Sequence, residues 1–175
     1  LNAKIAKVRI YVYLMEQDDP RKCTSSKLVR YNLAKGIRSI SQIPRRSIVL
    51  NPLANNALLP SDREHFLHGG LVAIDCSWNK ADKVLRSNYP GLNRRLPLLL
   101  AGNPVSYAKL EKLSSAEAIA ASLMITGFNE QSRQVLNLFK WGKTFFTLNQ
   151  NPLEDYSKVK NMKELNEIET SYFGS

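Results

Sequence analysis

The sequence predicts an α/β fold with a mostly parallel sheet, and three observations carry that prediction. Short apolar runs end abruptly in polar residues, as in strands buried on both faces. Segments of helical character alternate with these runs. Two Ser-x-x-Glu capping signatures, Ser61–Glu64 and Ser114–Glu117, mark helix starts among them.

Taken in order, Val8–Met15 is rich in β-branched and aromatic residues and reads as a strand. It runs into an acidic turn at Glu16–Pro20. Thr24 can cap a helix through Leu28, Tyr31 and Leu33 to about Lys35, with Gly36 as its stop. Ser47–Leu50, closed by Asn51-Pro52, is a second strand. The capping box at Ser61 starts a short helix ending at Gly69-Gly70. Leu71–Ile74 is a buried strand from which Asp75 emerges, and Leu96–Gly102 is another apolar run, closed by Asn103-Pro104. The box at Ser114 opens a helix through Ala118–Ile125. Residues 130–146 and 153–172 continue as helices, the last more polar and acidic. A soft boundary near residues 60–70 suggests a basic N-terminal α/β lobe, 1–65, and a second domain, 66–175.

Of 175 residues, 43% are hydrophobic, enough for a buried core. No run reaches the ~18 apolar residues that span a bilayer, and no secretory leader is read. Two cysteines are too few for a disulfide framework, which points to a reducing, cytoplasmic setting. The net charge of +10 is unevenly spread: +8 over residues 1–60, +3 over 61–110 and −1 over 111–175. A basic front half suits a surface that meets phosphates, though a solvated basic face is the alternative.

In open parallel sheets ligands bind beyond the carboxyl ends of the strands. Asp75 occupies such an end. A carboxylate there can act as a general base. Trp78 offers a face for an adenine, a nucleobase or a sulfonium. The plainer reading makes Asp75 the cap of a helix starting near Ser77 and Trp78 a core residue. Thr24, at a helix start, suits a carboxylate ligand or serves as a simple cap. Neither G-x-G-x-x-G nor a P-loop is present. Cys23, Cys76, His65 and His68 lack zinc-knuckle spacing, so no metal is expected.

Five segments then occur in a telling order: Asp19-Pro20-Arg21-Lys22-Cys23-Thr24; Ile48-Val49-Leu50-Asn51-Pro52; Asp75-Cys76-Ser77-Trp78; Arg95-Leu96-Pro97 with Asn103-Pro104-Val105-Ser106-Tyr107; and Leu113–Ala118. Together they resemble the ribosome-biogenesis family of small-subunit (16S/18S) rRNA aminocarboxypropyltransferases, over about residues 5–130. One loop departs from the family pattern: Ser106–Leu110 stands where the family usually continues Asn-Tyr-Gly-Arg-Pro.

The resemblance implies a SPOUT-like, knotted C-terminal domain and a monomer acting on small-subunit rRNA or a pre-ribosomal subunit, away from membranes. It implies S-adenosylmethionine as donor of a 3-amino-3-carboxypropyl group to N3 of a uridine-type base. Carried over by position, Thr24 would hold the donor's carboxylate and the Ile74 carbonyl the ribose. Leu50, Pro52 and Trp78 would face Leu96, Leu113 and Ala118 across the adenine, with the backbones of Leu96 and Glu111 reading its edge and Ser115 close by. Asp75 is the candidate base. Arg9, Arg21, Lys22, Arg45, Arg46, Arg94 and Arg95 are candidate phosphate contacts. A SPOUT-type RNA methyltransferase and a non-catalytic rRNA-binding assembly factor are the rival readings.

Overall fold

The structure is a computed structural model that describes residues 6–15, 23–76 and 85–174. Strands β1 (Ile10–Leu14), β2 (Lys35–Ile37), β3 (Ile48–Leu50), β4 (Leu71–Asp75) and β5 (Leu92–Arg94) form one sheet in the order β2-β1-β4-β3-β5. Every described pairing is parallel, with Ile10 opposite Leu71 and Ile48 opposite both Leu71 and Leu92. The helices are α1 (Thr24–Arg30), α2 (Arg63–Gly69), α3 (Ser115–Ile125), α4 (Asn129–Asn137), α5 (Gly142–Tyr156) and α6 (Met162–Phe173). The expected α/β class with a parallel sheet is therefore observed.

Side chains that alternate along a strand separate two cores. Ile10, Val12, Ile48, Leu50, Leu71 and Ala73 face the larger one, which also holds residues of all six described α-helices. Val49, Val72 and Ile37 face a smaller core closed by Ile43 and Tyr89, with Tyr11, Tyr13, Ile40 and Ile74 partly buried beside it. Among the described residues this second core draws on strands, loops and Ile40, which lies in a single 3-10 turn over Ile40–Gln42. β4, the central strand, pairs with β1 on one side and β3 on the other, so the sheet draws on both sides of the 65/66 boundary.

Several elements differ from expectation, each for a local reason. α1 stops at Arg30, because Asn32 adopts φ 59° and a Schellman-type pair of bonds, Leu33 N–H to Leu28 O and Asn32 N–H to Val29 O, closes the helix. The residues freed by that stop, Lys35–Ile37, pair with β1 as an edge strand. Cys23, not Thr24, holds the N-cap position, and Thr24 is the first helical residue. Before α2, Asp62 rather than Ser61 makes the reciprocal contact, accepting from Leu59 N–H at 3.1 Å. Leu96–Gly102 is not a strand of the sheet; only an isolated bridge, Leu100 with Leu110, forms there. The strand in that region is β5, slightly earlier. The expected helix over 130–146 divides at residues 138–141, where a Cβ on Gly142 would lie 2.1 Å from Leu136 O. The expected 153–172 helix divides too, with Asn161 capping α6 by accepting from Glu164 N–H at 2.9 Å. The box at Ser114 opens α3 as expected: Ser114 Oγ accepts from Glu117 N–H at 3.2 Å, and Glu117 Oε2 from Ser114 N–H at 2.8 Å. The acidic turn at 16–20 lies outside the described residues, as does the helix start near Ser77.

Candidate functional site

The connections leaving β1 and β4 diverge. β1 leads outward to its edge neighbour β2, whereas the chain after β4 goes to the opposite edge, at β5. The carboxyl ends of β1 and β4 therefore form the topological switch point, where open parallel sheets bind ligands. Leu14 and Asp75 are paired across it.

Asp75 is the polar centre of this place. Its Oδ2 accepts from the Cys23 thiol at 2.9 Å, and its Oδ1 from Ser115 Oγ at 3.3 Å. Cys23 sits at the head of α1 and Ser115 at the head of α3, so the carboxylate ties both helix starts to the sheet. Burial pushes the Cys23 thiol up. The hydrogen bond to Asp75 and that carboxylate's charge add to the rise, against lowering by Ser26. A thiol so raised stays protonated at neutral pH and serves as a donor. Thr24 joins the cluster by accepting from the N–H of Ala116 at 3.2 Å. Ser25, fully buried beside it, has a hydroxyl without a hydrogen-bond partner among the described residues.

Apolar residues border the cluster. Leu50 ends β3, Leu96 lies two residues beyond β5, Leu113 precedes the Ser114 cap, and Ala118 lies in the first turn of α3. Thr24, Leu50, Ile74, Asp75, Leu96, Leu113, Ser115 and Ala118 thus all lie at the carboxyl edge of the sheet or on the helix starts above it. Pro52 is exposed just past β3. Glu111, also exposed, has φ 61°, and its N–H donates to Leu99 O at 3.1 Å. Trp78, Arg21 and Lys22 lie outside the described residues. This donor set fits a nucleoside with a zwitterionic tail: hydroxyls and a carboxylate at one end, aliphatic walls at the other.

The candidate phosphate contacts separate into two groups. Arg9, Arg45 and Arg46 are exposed and precede β1 and β3, at the amino edge of the sheet. Arg9 also donates to His68 O at 3.0 Å. Arg94 and Arg95 are engaged inside the molecule. Arg94 pairs with the buried carboxylate of Asp62 at 3.2 Å, and Arg95 with Glu169 at 2.9 Å. Their guanidinium groups serve as internal ties.

Residues given no role at the site by sequence also organise it. Asn51, fully buried, donates to Arg86 O at 3.0 Å and to Asn93 Oδ1 at 3.1 Å, pinning the chain where it returns toward β5. Glu117, buried within α3, accepts from the N–H groups of Gly102 and Asn103 at 2.6 and 3.0 Å. For Glu117 the legible signal was its place in the Ser114 capping box, which does not reveal the bonds to Gly102 and Asn103. Among the described residues, no group of three or more His, Cys, Asp or Glu side chains could hold a metal ion.

Fold and site together define a parallel α/β protein whose polar cluster stands at the switch point of its sheet. Comparison with known proteins places it more closely. A family model described as ribosome biogenesis protein, C-terminal, matches residues 48–173, and the chain belongs to that family. The 16S rRNA aminocarboxypropyltransferase of Methanosarcina mazei is 42% identical over 171 residues, covering 94% of this chain and 95% of the relative. That of Vulcanisaeta distributa is 45% identical over 153 residues, covering 85% and 82%. The solved structure of the SAM-dependent rRNA:acp-transferase Tsr3 from Vulcanisaeta distributa matches with a TM-score of 0.80 and 39% identity, covering 94% of this chain and 97% of that one. A second model, described as "Possible Fer4-like domain in RNase L inhibitor, RLI", matches residues 8–39. That stretch has one cysteine, Cys23, against the four thiolates that hold an iron–sulfur cluster.

Proposed function

We propose that this chain transfers the 3-amino-3-carboxypropyl group of S-adenosylmethionine to N3 of a uridine- or pseudouridine-type nucleotide of small-subunit rRNA during ribosome biogenesis. The observation that carries this reading is Asp75. It stands at the switch point, bonded from the heads of two helices, in a chain similar over nearly its whole length to aminocarboxypropyltransferases.

When bound, S-adenosylmethionine supplies an electrophilic propyl carbon and a neutral thioether leaving group. The chain's task is to choose that carbon over the methyl by orientation. Thr24 holds the donor's carboxylate and the Ile74 carbonyl the ribose. Leu50, Pro52 and Trp78 on one side, with Leu96, Leu113 and Ala118 on the other, enclose the adenine. The backbones of Leu96 and Glu111 read its edge, beside Ser115. Asp75 takes the N3 proton as the N–C bond forms and the S–C bond breaks. Its carboxylate oxygens have lone pairs beyond those used by Cys23 and Ser115. Arg9, Arg21, Lys22, Arg45 and Arg46 contact phosphates. Arg9, Arg45 and Arg46 precede the strand ends opposite Leu71, farther from Asp75 than the roughly 13 Å length of β4, so they hold RNA away from the reaction centre. The resemblance further supports SPOUT kinship with a knotted C-terminal part, and a monomer working in the cytoplasm.

Mass spectrometry of small-subunit rRNA incubated with this protein and S-adenosylmethionine tests the proposal. The expected result is an aminocarboxypropyl adduct on one uridine-type nucleotide. A methyl adduct would instead favour a SPOUT methyltransferase. No adduct, together with no binding of S-adenosylmethionine by calorimetry, would favour a non-catalytic assembly factor.

A further inference from the structure

The stretch from Arg95 to Asn103 leaves the sheet at its β5 edge and yet is not free. Four side chains from later helices take the place of a neighbouring strand. Glu169 of α6 accepts from Leu98 N–H at 3.0 Å while bound to Arg95 at 2.9 Å and 3.4 Å. Tyr156 of α5 donates its hydroxyl to Leu98 O at 2.9 Å. Asn149, also of α5, accepts from Leu100 N–H and donates to Leu100 O, both at 2.8 Å. Glu117 of α3 accepts from the N–H groups of Gly102 and Asn103. Tyr156, Asn149 and Glu117 are fully buried and Glu169 nearly so. Leu98 and Leu100 thus have both backbone groups satisfied by side chains, as a strand has them satisfied by a ladder. The segment is also pressed against α5: a Cβ on Gly102 would lie 2.6 Å from the Phe145 nitrogen.

A backbone ladder fixes a strand by many small contributions. Here backbone–backbone bonds are confined, among the described residues, to Arg95, Leu99, Ala101 and Asn103, and between them the segment depends on a few side-chain groups, each able to shift it. The Arg95–Glu169 pair reaches furthest, because Arg95 Nη1 also donates to the carbonyl of Leu96 at 3.1 Å. Asn149 acts at the other end, where Leu100 bridges to Leu110 and Leu99 O receives the N–H of Glu111. Arg95, just before Leu96, also bridges by its backbone to Asn56 and Leu58, and Glu111 to Leu99; beyond those bonds the two backbones expected at the adenine depend on α5 and α6.

From this arrangement we infer that Glu169 and Asn149, helped by Tyr156 and Glu117, are positioning residues for the adenine of the donor. They set the base selectivity of the site from helices that do not touch it. The inference rests on the proposal that the Leu96 and Glu111 backbones read the adenine edge, and the experiment separates the two. Binding of 5′-methylthioadenosine and of its hypoxanthine counterpart is measured by calorimetry for the parent chain, Asn149→Leu and Glu169→Gln. Asn149→Leu keeps the branched outline, is somewhat larger, and removes both bonds to Leu100 together with the one to Phe145 O. Glu169→Gln keeps an acceptor for Leu98 and weakens the hold on Arg95.

The expected result is a parent chain that prefers the adenine compound by about tenfold or more. Both variants should lose most of that preference, with the KM for S-adenosylmethionine raised several-fold and kcat at saturation changed less. A parent chain without preference means that the adenine edge is read elsewhere, and the inference falls with that reading. A parent chain that discriminates, beside folded variants that discriminate equally, overturns the positioning role and leaves the adenine reading intact. If Asn149→Leu does not fold, Glu169→Gln, which buries no new apolar group, decides the matter alone.

Discussion

Asp75 ends β4 tied to the heads of two helices. Its two described donors, the Cys23 thiol and the Ser115 hydroxyl, come from helices far apart in sequence, and both orient it toward the switch point. Asp75→Asn keeps the shape and removes the proton acceptor. Binding of S-adenosylmethionine by calorimetry should be retained, while the transfer rate falls on the order of 10²–10⁴-fold. Transfer at the parent rate would remove Asp75 from the role of base. Cys23 could not be assigned a role from its sequence position, because its partner lies 52 residues away. Its burial and its bond to Asp75 hold the thiol up, so alkylation by iodoacetamide at pH 7.5 should be slower than for a free thiol. Alkylation as fast as that of the unfolded chain would show that the contact does not form.

At the scale of elements, Tyr156 and Glu117 show how helices carry the loop beside the site. Burial, with the charge of Glu169 next in weight, pushes the Tyr156 phenol far above its ordinary value of 10.0. The folded group holds its proton more tightly than the unfolded one. Its stabilisation is therefore complete below about pH 10 and is lost as pH rises beyond that value. Tyr156→Phe should cost roughly 1 kcal/mol at pH 7, through the lost bond to Leu98 O, and should flatten the fall in stability above pH 10. Urea unfolding at pH 7 and pH 10.5 measures both effects. An unchanged alkaline slope would assign that loss to other groups, such as Tyr89 or Cys23, whose values burial also raises. Glu117→Gln should be costlier. The carboxylate accepts from the backbones of Gly102, Asn103 and Ser114 and from the Asn103 amide, and a glutamine would aim an NH₂ at some of these donors. A loss of roughly 2–4 kcal/mol is expected in the same unfolding assay. A capping role alone would cost only about 1 kcal/mol.

Across the whole molecule, charge is segregated. Residues 23–61 and 85–110 contain no Asp or Glu and ten Lys or Arg. Arg94 and Arg95 among them are bound to Asp62 and Glu169. Arg45 and Arg46 stay exposed at the amino edge. Replacing Arg45 and Arg46 together by Ala should weaken RNA binding and lower the slope of log K against log salt by about 0.7 per lost phosphate contact on single-stranded RNA. The effect should fall on the KM for RNA, since these residues lie beyond the amino edge of the sheet, more than roughly 13 Å from Asp75. Filter binding across a salt series measures it, and an unchanged slope would remove both arginines from the interface. Arg94→Ala should instead reduce stability, because it leaves the Asp62 carboxylate buried without its cation, with little effect on the salt slope.

Local patterns determined what local physics controls. β1, β3 and β4 were legible as apolar runs, and α3 as a capping box, because burial on both faces and a reciprocal cap each leave a mark a few residues long. The five ordered segments carried the family, and Asp75 was legible as a polar residue ending a buried strand. Tertiary structure decided what depends on contacts distant in the chain. Lys35–Ile37 became a strand only because β1 offered an edge, and Asn32 had already ended α1. Leu96–Gly102 had the apolar character of a strand, yet its backbone partners became Glu169, Tyr156, Asn149 and Glu117. Arg94 and Arg95, candidate phosphate contacts by sequence, pair with carboxylates 32 and 74 residues away. A hydrogen bond or ion pair between distant residues leaves no periodic trace in a single sequence, and such bonds set both the surroundings of Asp75 and the loop beside it.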